Sequence, residues 1–397
     1  MSQFNRSRTV YRSSNHNRRG AAVGSNNRRK VQYIDPARFV QTAKPVDAEQ
    51  YTPQYKFSDF KISSLLKENI ARKGFLDPTP IQDQTISLAL EGKDVIGIAN
   101  TGTGKTAAFT IPIIHKLITN PGSKALIIAP TRELASQIEQ DCRWMARGSG
   151  LFGVLLIGGT SMVAQLRDLK DRPRIVIGTP GRINDHLERR TLNLSTFDTI
   201  VLDEVDRMLD MGFINPVTRI LSQMAPRRQS FFFSATMDSK VNGLIQNFTS
   251  DAVTISLKSG ETSENVNQDV VRVVSSHDKM DKLHEILIKN EVEKTLVFDS
   301  TQRSVERLSK ELVSRGFAAD SIHGGKSQGQ RQRALKRFRD SEISILVATD
   351  VAARGIDVID ITHVINYSQP QSYDDYIHRI GRAGRAGRIG HALTFIS

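Results

Sequence analysis

Short apolar runs alternate with amphipathic stretches along most of the chain, from about Phe57 onward. In the first half the apolar runs occupy residues 94–99, 124–130, 153–159, 174–180, 198–203 and 230–236. In the second half they occupy residues 294–300, 318–325, 344–350, 363–368 and 391–397. Strands that are apolar at nearly every position, with helices between them, are typical of a parallel sheet covered on both faces. The pattern therefore predicts two α/β domains, over residues 57–255 and 269–397.

Polar segments flank the first predicted domain. Residues 256–268 lack apolar periodicity and are predicted to link the two domains. Residues 35–56 are punctuated by proline and are predicted to form a lead-in with one or two helical turns. No apolar run approaches the roughly 18 residues that span a bilayer, and no apolar segment opens the chain, which argues against a membrane span and a secretory signal. Because Cys142 is the only cysteine, a reducing compartment is favoured and a cytoplasmic location is predicted.

Much of the net charge of +13 lies at the start of the chain. Residues 1–34 contain eight Lys and Arg side chains, no acid and few large apolar residues. Such a segment cannot bury enough surface to offset its conformational entropy, so we expect a disordered basic arm. The cations favour contact with a nucleic-acid backbone, because counterions are released there. An inert solubilising tail and an organelle transit peptide are the alternatives, and the lack of an amphipathic apolar face disfavours the second.

The sequence ANTGTGKT, residues 99–106, directly follows the first apolar run and precedes a helical pattern. In that context glycines let the backbone fold around a phosphate chain, a lysine reaches the β- and γ-phosphates, and a Thr hydroxyl holds Mg²⁺. Ala99 stands where the strict pattern has Gly, and a glycine-rich turn with a surface lysine is the alternative reading. The predicted nucleotide-binding residues of this loop are Thr101, Gly102, Thr103, Gly104, Lys105 and Thr106.

The acidic sequence DEVD, residues 203–206, ends another apolar run. Open parallel sheets bind ligands at the carboxyl ends of their strands. Asp203 is therefore predicted to hold Mg²⁺ largely through water, and Glu204 to position and deprotonate the attacking water, with Asp206 completing the catalytic acids. A solvated acidic turn is the alternative, and the phosphate loop upstream disfavours it.

A glycine-spaced run of arginines, YIHRIGRAGRAGR, occupies residues 376–388. Arg382 and Arg385 are predicted to act as arginine fingers that stabilise transition-state charge, and His378 is a further catalytic candidate. A solvated basic turn or a nucleic-acid contact is the alternative. A finger on one domain and a phosphate loop on the other imply a clamp that must close before hydrolysis.

Further motifs occur in a fixed order through both domains. They are GFLDPTPIQ (74–82), PTRELA (130–135), Gly158-Gly159, TPGR (179–182), SAT (234–236), LVFDST (296–301), HGGKSQGQR (323–331), ATDVAARGID (348–357) and HRIGRAGR (378–385). The set resembles the DEAD-box RNA helicases of superfamily 2, over Phe57 to Ser397. The resemblance implies two RecA-like domains in tandem. Two positions depart from the family pattern, Val205 in place of Ala and Ala383 where Thr is commoner, and neither change removes a charged or ligating group.

The resemblance implies that the nucleotide is ATP, bound with Mg²⁺. It implies that Gln82 hydrogen-bonds the adenine edge and that Phe57, seventeen residues upstream of Gly74, stacks on the base. Phe75 belongs to the same predicted base pocket. Gly355 and Asp357 are implied to lie near the ribose.

The resemblance also implies an RNA partner, single-stranded or a short duplex, held through phosphates and 2′-hydroxyls. The implied RNA-binding residues are Pro130, Thr131, Arg132, Gly159, Thr179, Pro180, Gly181, Arg182, Gly324, Arg331, Thr349, Asp350 and Arg354. Ser234 and Thr236 are implied to couple hydrolysis to strand separation. The expected protein is a monomeric ATP-dependent RNA helicase or RNP remodeller, with RNP or ribosomal assembly proteins as candidate partners. An ATP-binding RNA clamp with slow turnover is the second hypothesis; a DNA translocase is the third, disfavoured by the 74–82 motif.

Overall fold

The structure, a computed structural model, describes residues 33–44, 51–100, 102–249, 251–257, 264–353, 356, 358, 360–384 and 388–396. It contains two sheets, one in each half of the chain, and every strand pair in both is parallel. The prediction of two α/β domains is confirmed. Predictions for most of the basic arm, residues 1–32, and for five site residues lie outside the described residues. These five are Thr101, Arg354, Gly355, Asp357 and Arg385.

The first domain is built on a seven-stranded sheet with the order β3-β4-β2-β5-β6-β1-β7. Its strands are β1 (Val95–Ile98), β2 (Ala125–Ile128), β3 (Gly153–Leu156), β4 (Ile175–Gly178), β5 (Thr199–Leu202), β6 (Gln229–Ser234) and β7 (Val253–Ser256). Its helices are α1 (Ser64–Arg72), α2 (Pro80–Leu90), α3 (Lys105–Thr119), α4 (Arg132–Met145), α5 (Met162–Lys170), α6 (Pro180–Glu188), α7 (Val205–Asp210), α8 (Ile214–Leu221) and α9 (Ser239–Gln246). The central strands are buried on both faces, which is why they read as continuous apolar runs.

The second domain is built on a six-stranded sheet with the order β10-β11-β9-β12-β13-β8. Its strands are β8 (Val266–Arg272), β9 (Thr295–Phe298), β10 (Ala319–Ile322), β11 (Ile345–Ala348), β12 (His363–Asn366) and β13 (Gly390–Ile396). Its helices are α10 (Ser276–Leu287), α11 (Gln302–Ser314), α12 (Gln328–Arg339), α13 (Asp350–Ala353) and α14 (Tyr373–Ile380). Before both domains, Pro36–Phe39 form one short 3₁₀ helix, which begins with the Asp35 side chain accepting a hydrogen bond from the Ala37 N–H at 2.9 Å.

Two strands are absent from the apolar pattern, and both are edge strands. β7 pairs only with β1, and β8 pairs only with β13. An edge strand is partly exposed and carries polar residues, so β7 and β8 lack a continuous apolar run. The predicted linker, 256–268, is therefore too long, because it overlaps the last residue of β7 and the first residues of β8.

The strand order divides the carboxyl edge of the first sheet into two parts. The phosphate loop, the DEVD acids and the SAT residues follow β1, β5 and β6, which are neighbours. The predicted RNA-binding residues of this domain follow β2, β3 and β4, which are also neighbours. Since parallel strands place their carboxyl ends at one edge, the sequence motifs separate into a nucleotide side and an adjoining RNA side.

Candidate active site between the two domains

A cleft of about 770 Å³ lies between the two domains. Its phosphate side includes Lys105, Asp203 and Glu204, and its opposite wall includes Arg382. The other residues that line it are Lys73, Phe75, Gln82, Gly102, Gly104, Thr106, Ala107, Leu134, Gln137, Gln140, Asp141, Trp144 and Met145 of the first domain, and Arg339, Ile356, Val358 and Asp360 of the second. The fold thus brings the phosphate loop, two of the predicted acids and one predicted arginine finger into one space.

The phosphate loop closes tightly on the base-recognition motif. Gly104 has a φ of +94° and precedes the first residue of α3. A Cβ at Gly104 would lie 2.4 Å from Nε2 of Gln82, so the close approach as well as the backbone conformation requires glycine. The Lys105 ammonium is buried and donates to the Ala99 carbonyl at 2.8 Å. Only the backbone carbonyl of Ala99 takes part in this contact, so the contact does not require glycine at that position.

Asp203 is a buried carboxyl beside the loop lysine. Its pKa is raised to about 7, chiefly because burial disfavours the charged form; the Lys105 cation opposes the rise and Glu204 adds to it. The backbone N–H of Glu204 donates to Asp203 Oδ1 at 3.0 Å. The Lys105 cation therefore does not fully compensate the charge of the buried Asp203 carboxylate, the first acid of DEVD.

Glu204 combines backbone strain with an unsatisfied side chain. Its φ of 54° and ψ of 56° place it in the left-handed region, which costs about 1–2 kcal/mol for a residue with a Cβ. Its side chain is buried, its Oε2 has no hydrogen-bond partner, and the nearest cation recorded for it is Arg207 Nε at 4.0 Å. Buried polar atoms are almost always paired and strained residues cluster at functional sites, so both features indicate a carboxylate oriented for a ligand.

Asp206 has a different environment from Asp203 and Glu204. Its Oδ2 accepts hydrogen bonds from the Ala235 N–H at 3.1 Å, the Thr236 N–H at 3.2 Å and the Thr236 hydroxyl at 3.3 Å. Its own N–H donates to Ser234 Oγ at 3.3 Å. Asp206 does not line the cleft, and its contacts join the acids to the SAT sequence, while its predicted catalytic role stays a prediction.

The donor set fits Mg²⁺ held mainly through water. Asp203 and Glu204 offer uncompensated carboxylates and Thr106 a hydroxyl in the same cleft. Within the described ranges, no group of three or more His, Cys, Asp and Glu side chains is arranged to enclose a metal. A cation here would therefore complete its shell with water and phosphate oxygens, as Mg²⁺ commonly does.

The base end of the cleft is lined by Gln82, Phe75 and Trp144. Gln82 Oε1 accepts from the Thr79 N–H at 2.9 Å, and its Nε2 donates to the Gly104 carbonyl at 3.1 Å. Phe57 is 5% exposed and packs behind Phe75, with ring centroids 5.9 Å apart. Phe75 lines the cleft and Phe57 packs behind it, while the predicted stacking of Phe57 on the base stays a prediction.

The second domain holds its candidate catalytic residues on and after α14. Arg382 is 3% exposed, lines the cleft and donates to the Ile356 carbonyl at 3.0 Å. His378 does not line the cleft; it lies in a neighbouring hollow with Arg207 of the first domain and with Asp350 and Arg379. His378 therefore lies beside the domain contact, in a hollow that Arg382 also lines, and its catalytic role stays a prediction.

The predicted RNA-binding residues of the first domain lie together after neighbouring strands. Thr131 caps α4, its hydroxyl accepting from the Leu134 N–H at 3.3 Å, and Pro130 precedes it. The Arg132 guanidinium covers Gly159, where a Cβ would lie 2.3 Å from Nη1. Arg182 donates to Gln165 Oε1 at 3.0 Å. Thr179, Pro180 and Gly181 form the start of α6, with Gly181 exposed.

The second-domain residues assigned to RNA divide into two groups. Gly324 and Thr349 follow β10 and β11 at the carboxyl edge of the sheet. Asp350 instead accepts both hydrogen bonds of a bidentate pair with Arg379, at 2.6 and 2.8 Å. Arg331 is buried in an ion pair with Glu133 of the first domain, Nη2 to Oε2 at 2.7 Å. Asp350 and Arg331 thus both make protein contacts, and their predicted RNA contacts stay predictions.

Sequence reasoning missed several residues of the cleft. Glu133 lies inside PTRELA, but nothing in that motif identified Arg331 as its partner across the domains. Burial raises the pKa of Glu133, and the Arg331 cation opposes that rise. Trp144, Arg339 and Asp360 line the cleft and belong to no motif, so no sequence signal marked them.

Comparisons with known proteins agree with this geometry. Residues 79–244 match the DEAD/DEAH box helicase model, and residues 278–387 match the helicase conserved C-terminal domain model. The chain is 44% identical over 343 residues to the ATP-dependent RNA helicase CshA of Listeria monocytogenes. The match covers 86% of this chain and 66% of that relative. A DEAD box protein from the hyperthermophile Methanococcus jannaschii is 40% identical, with a TM-score of 0.51 and coverage of 86% of this chain and 93% of that one.

The chain belongs to the DEAD-box family. Within that family its relatives are ATP-dependent RNA helicases, among them CshA of Bacillus subtilis, which is 44% identical over 342 residues with 69% of its length covered, and this chain is an RNA-dependent ATPase of the same type.

A third relative informs the domain arrangement. Dbp5 of S. cerevisiae bound to RNA and ADP BeF₃ is 29% identical, with a TM-score of 0.75 and coverage of 86% of this chain and 89% of that one. Its identity is lower than that of the M. jannaschii protein, yet its TM-score is higher. The chain therefore superposes on the Dbp5 structure more closely than on the M. jannaschii structure. Among the described helices, none is both long and apolar enough to cross a membrane.

Proposed function

We propose that this chain hydrolyses ATP in the interdomain cleft when one RNA strand contacts both domains, and that closure on that strand opens short duplexes locally. The observation that carries the proposal is the Glu204 carboxylate, buried, strained and without a hydrogen-bond partner at Oε2, in the same cleft as Lys105 and Arg382. Phosphoryl transfer depends mainly on positioning and charge stabilisation, which these three groups supply.

Each charged group has a distinct part in the proposed reaction. Lys105, held at the end of β1 by the Ala99 carbonyl, neutralises phosphate charge. Glu204 orients the attacking water and takes its proton. Arg382 reaches from the second domain to the charge that develops on the transferred phosphoryl group. Asp203 and the Thr106 hydroxyl are the residues that would hold Mg²⁺, whose contribution when bound is further charge neutralisation.

The RNA side of the proposal rests on the edges of the two sheets. The residues that follow β2, β3 and β4 adjoin the nucleotide side of the first sheet, and Gly324 and Thr349 occupy the corresponding edge of the second. A strand held by both edges would be gripped most tightly when the domains are together, which links RNA binding to assembly of the cleft. The basic residues of 1–34 would add non-specific affinity that weakens with salt.

Both halves of the cleft come from one chain, so we propose that the protein acts as a monomer. Its single thiol, Cys142, is buried and unpaired, which fits a cytoplasmic location. RNP or ribosomal assembly partners are proposed only as candidates, because the candidate site offers non-specific contacts to RNA backbone.

The experiment is RNA-stimulated phosphate release from ATP and Mg²⁺, compared between the parent and Glu204→Gln. We expect RNA to stimulate the parent, and the variant to lose about 10²–10⁴-fold in rate while still binding ATP, because the amide keeps the shape but cannot take a proton. The matched control is Glu188→Gln, whose carboxylate is exposed and pairs with Arg219 outside the cleft. No RNA-stimulated release from the parent would overturn the proposal in favour of a slow ATP-binding clamp. All-DNA duplexes opened as fast as RNA duplexes would favour a DNA translocase.

A further inference from the structure

A groove on the second domain is filled by a segment from the other end of the chain. Phe39 is 1% exposed and packs on Tyr376 of α14, with ring centroids 4.7 Å apart. Val266 of β8 and Ile380 of α14 belong to the same buried cluster. The Arg38 guanidinium lies 3.6 Å from the centroid of the Tyr373 ring. Residues 33–44, which precede the first domain in sequence, are therefore docked on the second.

The same segment pairs with the edge of the second sheet. Gln41 and Gln268 exchange two backbone hydrogen bonds, of 3.0 Å and 2.7 Å, in an isolated antiparallel bridge. The Lys44 N–H donates to the Glu264 carbonyl at 2.9 Å, and the Ala43 N–H donates to Asn267 Oδ1 at 2.8 Å. These bonds satisfy part of the edge strand β8, whose backbone would otherwise be open to another chain.

The chain then anchors on the first domain, at the helix that carries the base-recognition glutamine. Asp83 of α2 is 2% exposed and immediately follows Gln82. Asp83 Oδ2 accepts from the Tyr51 hydroxyl at 2.6 Å and from the Gln54 N–H at 2.7 Å, and Asp83 Oδ1 accepts from the Tyr55 N–H at 3.2 Å. A buried carboxylate with three donors from one short segment is a firm attachment.

The two anchors are close along the chain but lie on different domains. Only residues 45–50 separate them in sequence, and a chain of that length spans at most about 25 Å in any conformation. One anchor is on α2, beside Gln82. The other is on α14, a helix that ends two residues before Arg382. The two domains are therefore connected twice, once by covalent chain between β7 and β8 and once through this segment, whose attachment to the second domain is non-covalent.

We propose that residues 33–56 are a strap that limits the separation of the two domains. The strap keeps the side of the cleft that carries Gln82 close to the side that carries Arg382. The groove formed by β8 and α14 is then an intramolecular docking surface whose partner is residues 33–44. A short tether raises the effective concentration of one domain near the other. The domain arrangement that can close on ATP and RNA is therefore more populated before the ligands bind. The effect on catalysis rests on the proposed function, whereas the effect on domain separation does not.

The first test releases the strap from the second domain with Phe39→Ala. Its matched control is Val40→Ala, the neighbouring residue, whose side chain is 55% exposed. Fluorescent dyes are placed on cysteines at the exposed positions Lys170 and Lys310, with Cys142→Ser removing the native thiol, and the interdomain distance is measured without ATP or RNA. We expect Phe39→Ala to lengthen and broaden the distance distribution and the control to leave it unchanged.

The second test leaves both anchors intact and lengthens the chain between them. Twelve Gly and Ser residues are inserted between Lys44 and Tyr51, which removes the length limit without touching Phe39 or Asp83. We expect the same shift in interdomain distance as in Phe39→Ala. We also expect KM for ATP and for RNA to rise about three- to tenfold, with kcat at saturation within about twofold, because saturating ligands still close the domains.

These readings separate the strap from simple packing. If Phe39→Ala shifts the distances but the insertion does not, the segment only packs on the second domain and the proposal is overturned. If neither variant shifts the distances, it is overturned as well. A shift in distance in a protein without RNA-stimulated phosphate release would support the strap and contradict the proposed function.

Discussion

The two sides of the cleft differ in how their charged groups are satisfied. On the first domain, Glu204 is strained and has an oxygen without a hydrogen-bond partner, and Asp203 has a pKa raised to about 7. On the second domain, Arg379, in the hollow beside the cleft, donates to Asp350, to Asn366 Oδ1 at 3.2 Å and to the Ser368 carbonyl at 2.7 Å. Arg382, also buried, is held by a backbone carbonyl.

This difference assigns different tasks to the two domains. Incompletely compensated acids in the first domain should gain from a bound cation, because it relieves their burial cost. Arginines whose orientation is already set by protein acceptors lose little freedom when the domains meet, so we expect the second domain to supply a pre-organised cation. We therefore expect the first domain to change most on ligation and the second to act mainly on the chemical step.

The largest expected effect comes from removing the second-domain cation. Arg382→Ala should lower kcat for RNA-stimulated phosphate release by about 10³-fold or more, as loss of an arginine finger does, while ATP binding to the first domain is retained. The measurement is steady-state phosphate release together with nucleotide affinity by titration. Arg388→Ala is the matched control, because Arg388 is exposed in the same basic run. A loss of nucleotide affinity equal to the loss in kcat would instead place Arg382 in ground-state binding.

The contrast between the domains also shows what the sequence could predict. The phosphate loop and the DEVD acids are local patterns after buried strands, so their positions at the sheet edge followed from spacing alone. The contacts that give Asp206 a different environment from Asp203 and Glu204 join residues that are far apart in the sequence. Asp206 meets Thr236 across 30 residues, and Ala43 meets Asn267 across 224. Neither contact could be predicted from hydrophobic periodicity or from a sequence motif, so both are seen only in the folded structure.

Two motif residues lie outside the cleft lining for the same reason. Asp206 and Phe57 belong to recognised motifs, and a motif specifies residue type without specifying which members line the cleft. In the structure Asp206 is saturated by donors of the SAT sequence, and Phe57 is covered by Phe75. The edge strands β7 and β8 were missed for a related reason, since a half-exposed strand has no uniform apolar run.

A smaller effect is expected where the two acids of the tetrad are contrasted directly. In Asp206→Asn the amide cannot accept both the SAT donors at one oxygen and the Arg207 N–H, 2.9 Å away, at the other. One donor is left unpaired whichever way the amide turns, which should lower the free energy of unfolding by about 1–3 kcal/mol. We expect phosphate release to fall by less than about tenfold, and the ATP consumed per duplex opened to rise, because the link to Ser234 and Thr236 is weakened.

The readout is the ratio of duplexes opened to phosphate released, measured in the same reaction. Asp210→Asn, at the exposed end of the same helix, is the control and should leave that ratio unchanged. A loss of phosphate release as large as that of Glu204→Gln would show that Asp206 acts in the chemical step, and the distinction between the two acids would fail.

The smallest effect concerns the residue between those acids. Val205 is fully buried in an apolar cluster that includes Ile200 and Leu202 of β5, and it is the first residue of α7. Val205→Ala should cost about 1–2 kcal/mol in the free energy of unfolding through lost contacts. Phosphate release should change by less than about tenfold, or roughly 1.4 kcal/mol of barrier, because Val205 carries no ligand or proton. Val217→Ala, in the same cluster but outside the tetrad, is the matched control for stability. A gain in rate above tenfold in Val205→Ala alone would show that the packing of Val205 holds Glu204 away from its productive orientation.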